Sequence, residues 1–216
     1  MIDYKKFADF APTDYADGLT RDRFMDQNIS ALWPNMIRIS GPAYTVEVPA
    51  GDSLMVHAAI YNAPAGAIIV VQTNGSDVAV AGGNVCAIAQ KHGVIGFIID
   101  GLIRDIVEIR ELQFPVYAKG IIPKPSDKKH VGPINPRIVC GGVVVNTGDV
   151  IVADEEGIAV IPLVDAEKLY KIAKHRADSD SATNLDEWEA LHHAKITQLL
   201  VKWFEGFFMI SRAFDS

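Results

Sequence analysis

Between residues 67 and 118 the chain repeats one pattern: a short apolar run, a turn marked by glycine or proline, a helix-compatible segment, and another apolar run. Residues 67–72 read as a buried strand. Val78-Ala79-Val80-Ala81 comes next, turns at Gly82-Gly83, and leads into a helix over 84–92 that Gly93 ends. Residues 94–99 form the following apolar strand, and Asp100-Gly101 reads as a turn. Arg104-Asp105 opens a short helix to Leu112, and Phe114-Pro115-Val116-Tyr117-Ala118 is a further strand. Strand, helix, strand, short helix, strand is the rhythm of an α/β fold.

The flanks extend this pattern. Residues 37–48 read as two extended stretches with Gly41-Pro42 between them, and Ser53 or Asp52 caps a helix through Ile60. Proline and lysine crowd residues 121–137, including Pro123, Pro125, Lys128, Lys129 and Pro133, so this stretch reads as an exposed loop bordering a site or an interface. Residues 143–145, 149–153 and 158–162 form a β-rich block, and a long helix starts at Asp165. The tail from Asp178 is polar and then amphipathic through Trp188, Leu191, Ile196, Leu199, Leu200, Trp203 and Phe204. Phe207-Phe208-Met209-Ile210 is too short to cross a bilayer and is expected to pack on its own core or on a neighbouring subunit.

A length of 216 residues fits one large domain or two small ones, with one the expected arrangement, and 49% hydrophobic against 22% charged residues supplies a substantial core. The net charge of -7 argues against phosphate-driven nucleic-acid binding and favours a small substrate or a protein partner. Cys86 and Cys140 provide neither a disulfide scaffold nor a paired-cysteine metal site, and read as buried free thiols. The first ten residues lack the apolar stretch of a signal peptide, and no apolar run reaches the ~20 residues that span a membrane, so a cytoplasmic, non-membrane protein is expected.

The chemistry concentrates in two short segments. Gly82-Gly83 at a helix entrance lets backbone approach a ligand, and the free N–H groups of a first helical turn favour a carboxylate. By itself the dipeptide reads first as a tight strand-to-helix turn. Arg104, just after a strand, presents a planar fork that matches a carboxylate, or else forms a structural ion pair. Asp105 offers a hard oxygen to Mg2+, or caps the helix over 106–112, and both roles are compatible. The six histidines show no paired zinc-binding spacing, with His192-His193 reading as a solvated helix pair. Neither a serine-hydrolase elbow around Ser53 or Ser76 nor a nucleotide-binding glycine motif is present.

Taken together, Gly82-Gly83-Asn84-Val85-Cys86-Ala87, the run from Gly93 to Asp105 ending in Asp100-Gly101-Leu102-Ile103-Arg104-Asp105, and Phe114-Pro115-Val116-Tyr117-Ala118-Lys119-Gly120 resemble the family of regulator of ribonuclease activity A and 4-hydroxy-4-methyl-2-oxoglutarate aldolase. The resemblance covers residues 13–174, with support from Gly41-Pro42-Ala43-Tyr44-Thr45-Val46 and Gly157-Ile158-Ala159-Val160-Ile161-Pro162. It implies a swivelling β/β/α three-layer domain of the phosphohistidine-domain type over residues 1–174, followed by a C-terminal helical extension over 175–216. It further implies a homotrimer or homohexamer with sites at subunit interfaces. By the same likeness Arg104 holds a pyruvyl carboxylate, Gly82, Gly83 and the N–H groups of Asn84 and Val85 complete the substrate cradle, and Asp105 holds Mg2+ or Mn2+. The implied activity is release of pyruvate from a small 2-oxo acid, by retro-aldol cleavage or by oxaloacetate decarboxylation; the alternative is a non-catalytic regulator of a ribonuclease or another protein partner. Where aldolases of this family carry an acidic residue separated from the Arg-Asp pair by a twenty-residue gap, this chain has Gly83. Their C-terminal acid has no aligned counterpart here, with Asp180, Glu187 and Glu189 as candidates only. Some members carry a demethylmenaquinone methyltransferase label, but no glycine-rich loop for S-adenosylmethionine follows a first strand.

Overall fold

The structure is a computed structural model that describes residues 2–214, with side chains described through Trp203. It divides into two compact units, Met1–Lys174 and His175–Ser216. In chain order the strands are β1 (Ser30–Ala31), β2 (Ile39–Glu47), β3 (Ile68–Gln72), β4 (Ala79–Ala81), β5 (Gly96–Ile103), β6 (Val116–Ile121), β7 (Ile138–Cys140), β8 (Val143–Val145), β9 (Val150–Asp154) and β10 (Gly157–Ile161). The α-helices are α1 (Leu54–Asn62), α2 (Gly83–Lys91), α3 (Ile106–Glu111), α4 (Ala166–Ala182) and α5 (Leu185–Phe214).

The main sheet runs β1-β6-β5-β3-β2-β9-β10, with β4 attached to β5, and β7 and β8 form a separate hairpin. Its centre, β2-β3-β5-β6, is parallel, whereas β2-β9-β10 is antiparallel. β1 pairs with β6 at one edge, while Phe24, just ahead of β1, bridges Ala159 of β10 at the other, so the sheet is nearly closed and barrel-like. Residues Ile68, Ile69, Val70 and Val71 are all fully buried, because α1 covers one face of β3 and the β7-β8 hairpin the other. This is the mixed α/β architecture with β/β/α layering that the sequence predicts, and it explains why β3 is a continuous apolar run.

Two stretches differ from the sequence reading. Gly41-Pro42 does not separate two strands but lies within β2, at the point where that strand changes partner. Ile39–Pro42 pairs with β9 and Ala43–Glu47 with β3. Glycine is needed at 41 because a Cβ there would strike the Gly66 carbonyl oxygen and come within 3.0 Å of Ile95 Cδ1. Asp100-Gly101, read as a turn, continues β5 through an irregularity opposite β6 between Ile99 and Leu102. A Cβ on Gly101 would sit 2.6 Å from Thr73 Cγ2, so this glycine allows a close approach rather than a reversal. Gly93, with φ of +86°, ends α2 as expected.

A second apolar cluster joins Phe7 and Tyr15 of the N-terminal segment to Val150, Val152, Ile161 and the Ala166, Leu169 and Ala173 stripe of α4. Cys86 and Cys140 are buried and free, and burial pushes the Cys86 thiol up to about 12. In the second unit, Asn184 Oδ1 accepts the Glu187 N–H at 2.9 Å while Glu187 Oε2 accepts the Asn184 N–H at 3.3 Å, a reciprocal cap that starts α5. His192 stacks on Trp188 with ring centroids 4.5 Å apart. The expected packing of Phe207-Phe208-Met209-Ile210 lies outside the described side chains. Among the described residues no helix is long and apolar enough to cross a membrane.

The β2 crossing gives a stability prediction. Gly41→Ala drives a methyl group into fixed backbone of the 63–67 segment and should destabilise the fold by about 1–3 kcal/mol, seen as a lower urea midpoint. An unchanged midpoint would show that the segment yields without cost.

Candidate functional site

β4 and β5 run parallel and end side by side. Ala81 pairs with Ile103, and the Arg104 N–H donates to the Ala81 carbonyl at 3.0 Å. Gly82-Gly83 and Arg104-Asp105 therefore emerge together at the C-terminal ends of adjacent parallel strands, where α/β sheets commonly bind ligands.

The two segments are locked by one carboxylate. Asp105 occupies the N-cap position of α3 in a left-handed backbone conformation, φ 59° and ψ 41°, but makes no capping bond to its own helix. Its Oδ2 instead accepts the Gly83 N–H at 3.1 Å, satisfying the first free donor of α2. The capping role read from sequence thus belongs to the neighbouring helix. A left-handed aspartate costs on the order of 1 kcal/mol and is concentrated at functional sites, where surrounding structure holds it. Arg104 Nε lies 3.4 Å from the same Oδ2, and the terminal guanidinium nitrogens have no protein partner among the described residues.

Both glycines are explained by these side chains rather than by a turn. Gly82 has φ of -158°, extended backbone that any residue adopts, yet a Cβ there would strike Asp105 Oδ2 and lie 3.0 Å from Arg104 Cγ. A Cβ on Gly83 would meet the Glu108 carboxylate. Glu108 projects from α3, one turn beyond Asp105, so a carboxylate fills the space beside the glycine at 83.

Gly82, Asn84, Val85, Arg104 and Asp105 line a half-open cavity of about 80 Å3. Gly83 lines an adjoining cavity, with Glu108 and Glu111, that shares Asn84 with the first. The Asn84 and Val85 N–H groups, in the first turn of α2, have no acceptor among the described residues, and free donors at a helix start favour an anion in general. Further lining comes from residues that sequence reasoning did not place in the site: His57 of α1, and Ser126 and Lys128 from the loop after β6, which is joined to β4 by the Ala79 N–H donating to the Lys124 carbonyl at 2.8 Å. No local spacing joins these positions to residues 82–105; only the crowding of proline and lysine over 121–137 marked this loop. Burial, then the positive charges of Lys128 and Arg104, hold the His57 imidazole below its ordinary value, which favours the neutral ring near pH 7.

The loop is fixed by Asp52. This buried carboxylate accepts the N–H groups of Leu54 at 2.8 Å, Lys129 at 2.7 Å and His130 at 3.2 Å, with His130 Nδ1 at 3.1 Å. Burial pushes its pKa up, but those bonds outweigh burial and hold it at about 2. Ser53 N–H donates to the Asp127 carbonyl at 2.9 Å, and the Asp127 N–H to the Gly51 carbonyl at 2.8 Å.

Among the described residues no three His, Cys, Asp or Glu side chains converge as a metal cage. Among the described residues Asp105 Oδ1 nevertheless has no hydrogen-bond donor, and a single carboxylate oxygen of this kind suits Mg2+ or Mn2+, hard ions that keep much of their water. The C-terminal acids lie in the second unit, where Asp180 pairs with Arg176 at 3.8 Å and Glu187 closes the Asn184 cap.

Comparison with known proteins places these features in a lineage. A family model described as RraA-like, Aldolase/RraA, matches residues 13–160. A Halalkalibacterium halodurans protein provisionally named 4-hydroxy-4-methyl-2-oxoglutarate aldolase is 39% identical over 171 residues, covering 79% of this chain and 80% of that protein. The RNA-processing inhibitor RraA from Thermus thermophilis superposes with a TM-score of 0.64 at 27% identity, over 70% of this chain and 92% of that one. A Geobacillus kaustophilus structure described as an S-adenosylmethionine:2-dimethylmenaquinone methyltransferase gives a TM-score of 0.64 at 30% identity, over 69% and 93%.

The Asp52 clamp is directly testable. Asp52→Asn removes the charge and one acceptor from buried donors, and should lower stability by about 1–3 kcal/mol. Because the Asp52 pKa is depressed, its contribution is complete above the ordinary carboxylate value and lost as pH falls toward about 2. The wild-type stability advantage over Asp52→Asn should therefore shrink across that acid range; an advantage independent of pH would contradict the clamp.

Proposed function

This chain belongs to the RraA-like family, and from that premise we propose that it is a divalent-metal-dependent lyase releasing pyruvate from a 2-oxo acid. Two reactions suit it: retro-aldol cleavage of a substrate of the 4-hydroxy-4-methyl-2-oxoglutarate type, and decarboxylation of oxaloacetate. The carrying observation is that the free end of Arg104, the unpaired N–H groups of Asn84 and Val85 and the Asp105 carboxylate all face one cavity. The aldolase name of the Halalkalibacterium halodurans relative supports the same reaction class.

In this reading Arg104 and the start of α2 grip the substrate carboxylate and orient the 2-oxo group toward Asp105. Asp105 holds Mg2+ or Mn2+, an ion that supplies electrostatic stabilisation of the charge developing on the 2-oxo oxygen as the carbon–carbon bond breaks. The tight fit of Gly82 against Asp105 keeps that carboxylate in place. Glu108 provides an acid beside position 83, where the resemblance calls for one and this chain has glycine. The domain responsible spans residues 1–174, with residues 175–216 as a helical extension that packs on the same or a neighbouring subunit of a cytoplasmic homotrimer or homohexamer. A non-catalytic regulator is the competing reading, favoured by the likeness to the RNA-processing inhibitor RraA.

Pyruvate release, coupled to lactate dehydrogenase, from 4-hydroxy-4-methyl-2-oxoglutarate and from oxaloacetate, corrected for spontaneous decay, separates the two. The lyase should turn over with Mg2+ and stop with EDTA, and Arg104→Ala or Asp105→Ala should each lower kcat/KM by about 100-fold or more. Turnover at background level in the wild-type protein with either metal would leave the regulator.

A further inference from the structure

Along α5 the side chains of Leu185, Trp188, Ile196, Leu199 and Trp203 are each at least 40% exposed. With His192 they follow one another at intervals of three, four, four, three and four residues, and the order repeats after eleven: 185 leads to 196, 188 to 199 and 192 to 203. Eleven residues in three turns is about 3.67 per turn, close to the 3.6 of a straight helix, so the seam stays on one side of α5 with little supercoil. His192 takes its place in the seam by stacking on Trp188, with ring centroids 4.5 Å apart. Contiguous apolar surface of this kind is characteristic of an interaction site.

The charges beside the seam are sorted by flank. At about 100° per residue, Asp186 and Glu189 fall on one side of it and Lys195 and Lys202 on the other. In an antiparallel pair of such helices each flank meets the same flank of its partner, so neither the acids nor the lysines find opposite charge. In a parallel pair or ring each acidic flank meets the basic flank of the next helix, and Glu189 of one copy comes beside Lys195 of another. The two cannot meet within one helix, because residues six apart project about 120° from each other around it. A lipid surface fits less well: residues 185–203 hold three acids, Asp186, Glu187 and Glu189, against two lysines, whereas interfacial helices are rich in basic residues.

We propose that α5 docks on α5 of a second copy of this chain, in parallel and in register, through this seam. Charge complementarity selects the occupant, since the acidic flank is matched by the basic flank of the same helix on another copy. Parallel is also the direction that a cyclic assembly imposes on helices that meet about its axis. The inference does not rest on the lyase reading, and none of the residues assigned to that chemistry enters it.

The test uses single added cysteines in the full chain, at low micromolar concentration with a mild oxidant, because Cys86 and Cys140 are buried. Leu185→Cys and Leu199→Cys lie on the seam about 21 Å apart along the helix, and Ala194→Cys, on the opposite side, is the control. Each seam variant should form disulfide-linked pairs of chains about tenfold faster than the control or more. An antiparallel pair allows self-linking at no more than one of two positions so far apart, so linking at 185 alone or at 199 alone would overturn the proposal. In the Leu199→Cys background, Glu189→Lys should slow linking about threefold or more by setting lysine against lysine, and adding Lys195→Glu should restore the rate. Linking indifferent to Glu189→Lys would contradict the flank pairing that selects the partner. No advantage of either seam cysteine over the control would overturn the proposal and leave the seam to another part of the protein or to a lipid surface.

Discussion

The hydrogen bond from the Gly83 N–H to Asp105 Oδ2 at 3.1 Å is the constraint on which the site depends. It ties the junction of β4 with α2 to that of β5 with α3, two segments about twenty residues apart that the parallel pairing of Ala81 with Ile103 has already brought to one end of the sheet. The bond forms because nothing stands between backbone and carboxylate. A side chain at 82 would clash with Oδ2 and crowd Arg104 Cγ at 3.0 Å. The left-handed backbone at Asp105 is the strained element of the pair, and packing of both junctions against a buried parallel sheet holds it in place.

From that lock follow the directions of the remaining groups. Arg104 contacts Asp105 through Nε, and its outer nitrogens have no protein partner among the described residues, while α2 presents the Asn84 and Val85 N–H groups that its own backbone cannot use. The loop after β6 is held by a different device, a buried carboxylate at Asp52 that gathers backbone donors from a stretch with little regular structure. Two anchors thus hold segments that line the cavity, although several of its charged groups are exposed.

Much of the fold was legible in the sequence because its parallel strands are short, apolar and punctuated by glycine, and the start of α2 and its end at Gly93 fall within a residue of the expected places. Asp100-Gly101 misled because the composition of a turn and of a strand irregularity is the same; only the proximity of Thr73 tells them apart. Gly82-Gly83 was legible as a special place but for a different physical reason, side-chain crowding instead of turn geometry. Arg104, Asp105, Asn84 and Val85 could be singled out because they are close in sequence to that dipeptide. His57, Ser126 and Lys128 could not, since they reach the cavity only through the course of α1 and the loop after β6. Glu108 was invisible for a similar reason: the absence of an acid at 83 is a property of one position, whereas the carboxylate that fills the space arrives from another helix.

The most direct measurement is calorimetric titration of pyruvate, in the presence of Mg2+, into the wild-type protein and into Gly82→Ala. If the Asp105 lock organises the carboxylate site, wild type binds pyruvate, whereas the variant keeps its circular dichroism spectrum and binds about tenfold more weakly or worse. Equal binding by the two proteins, or none by wild type, would contradict it.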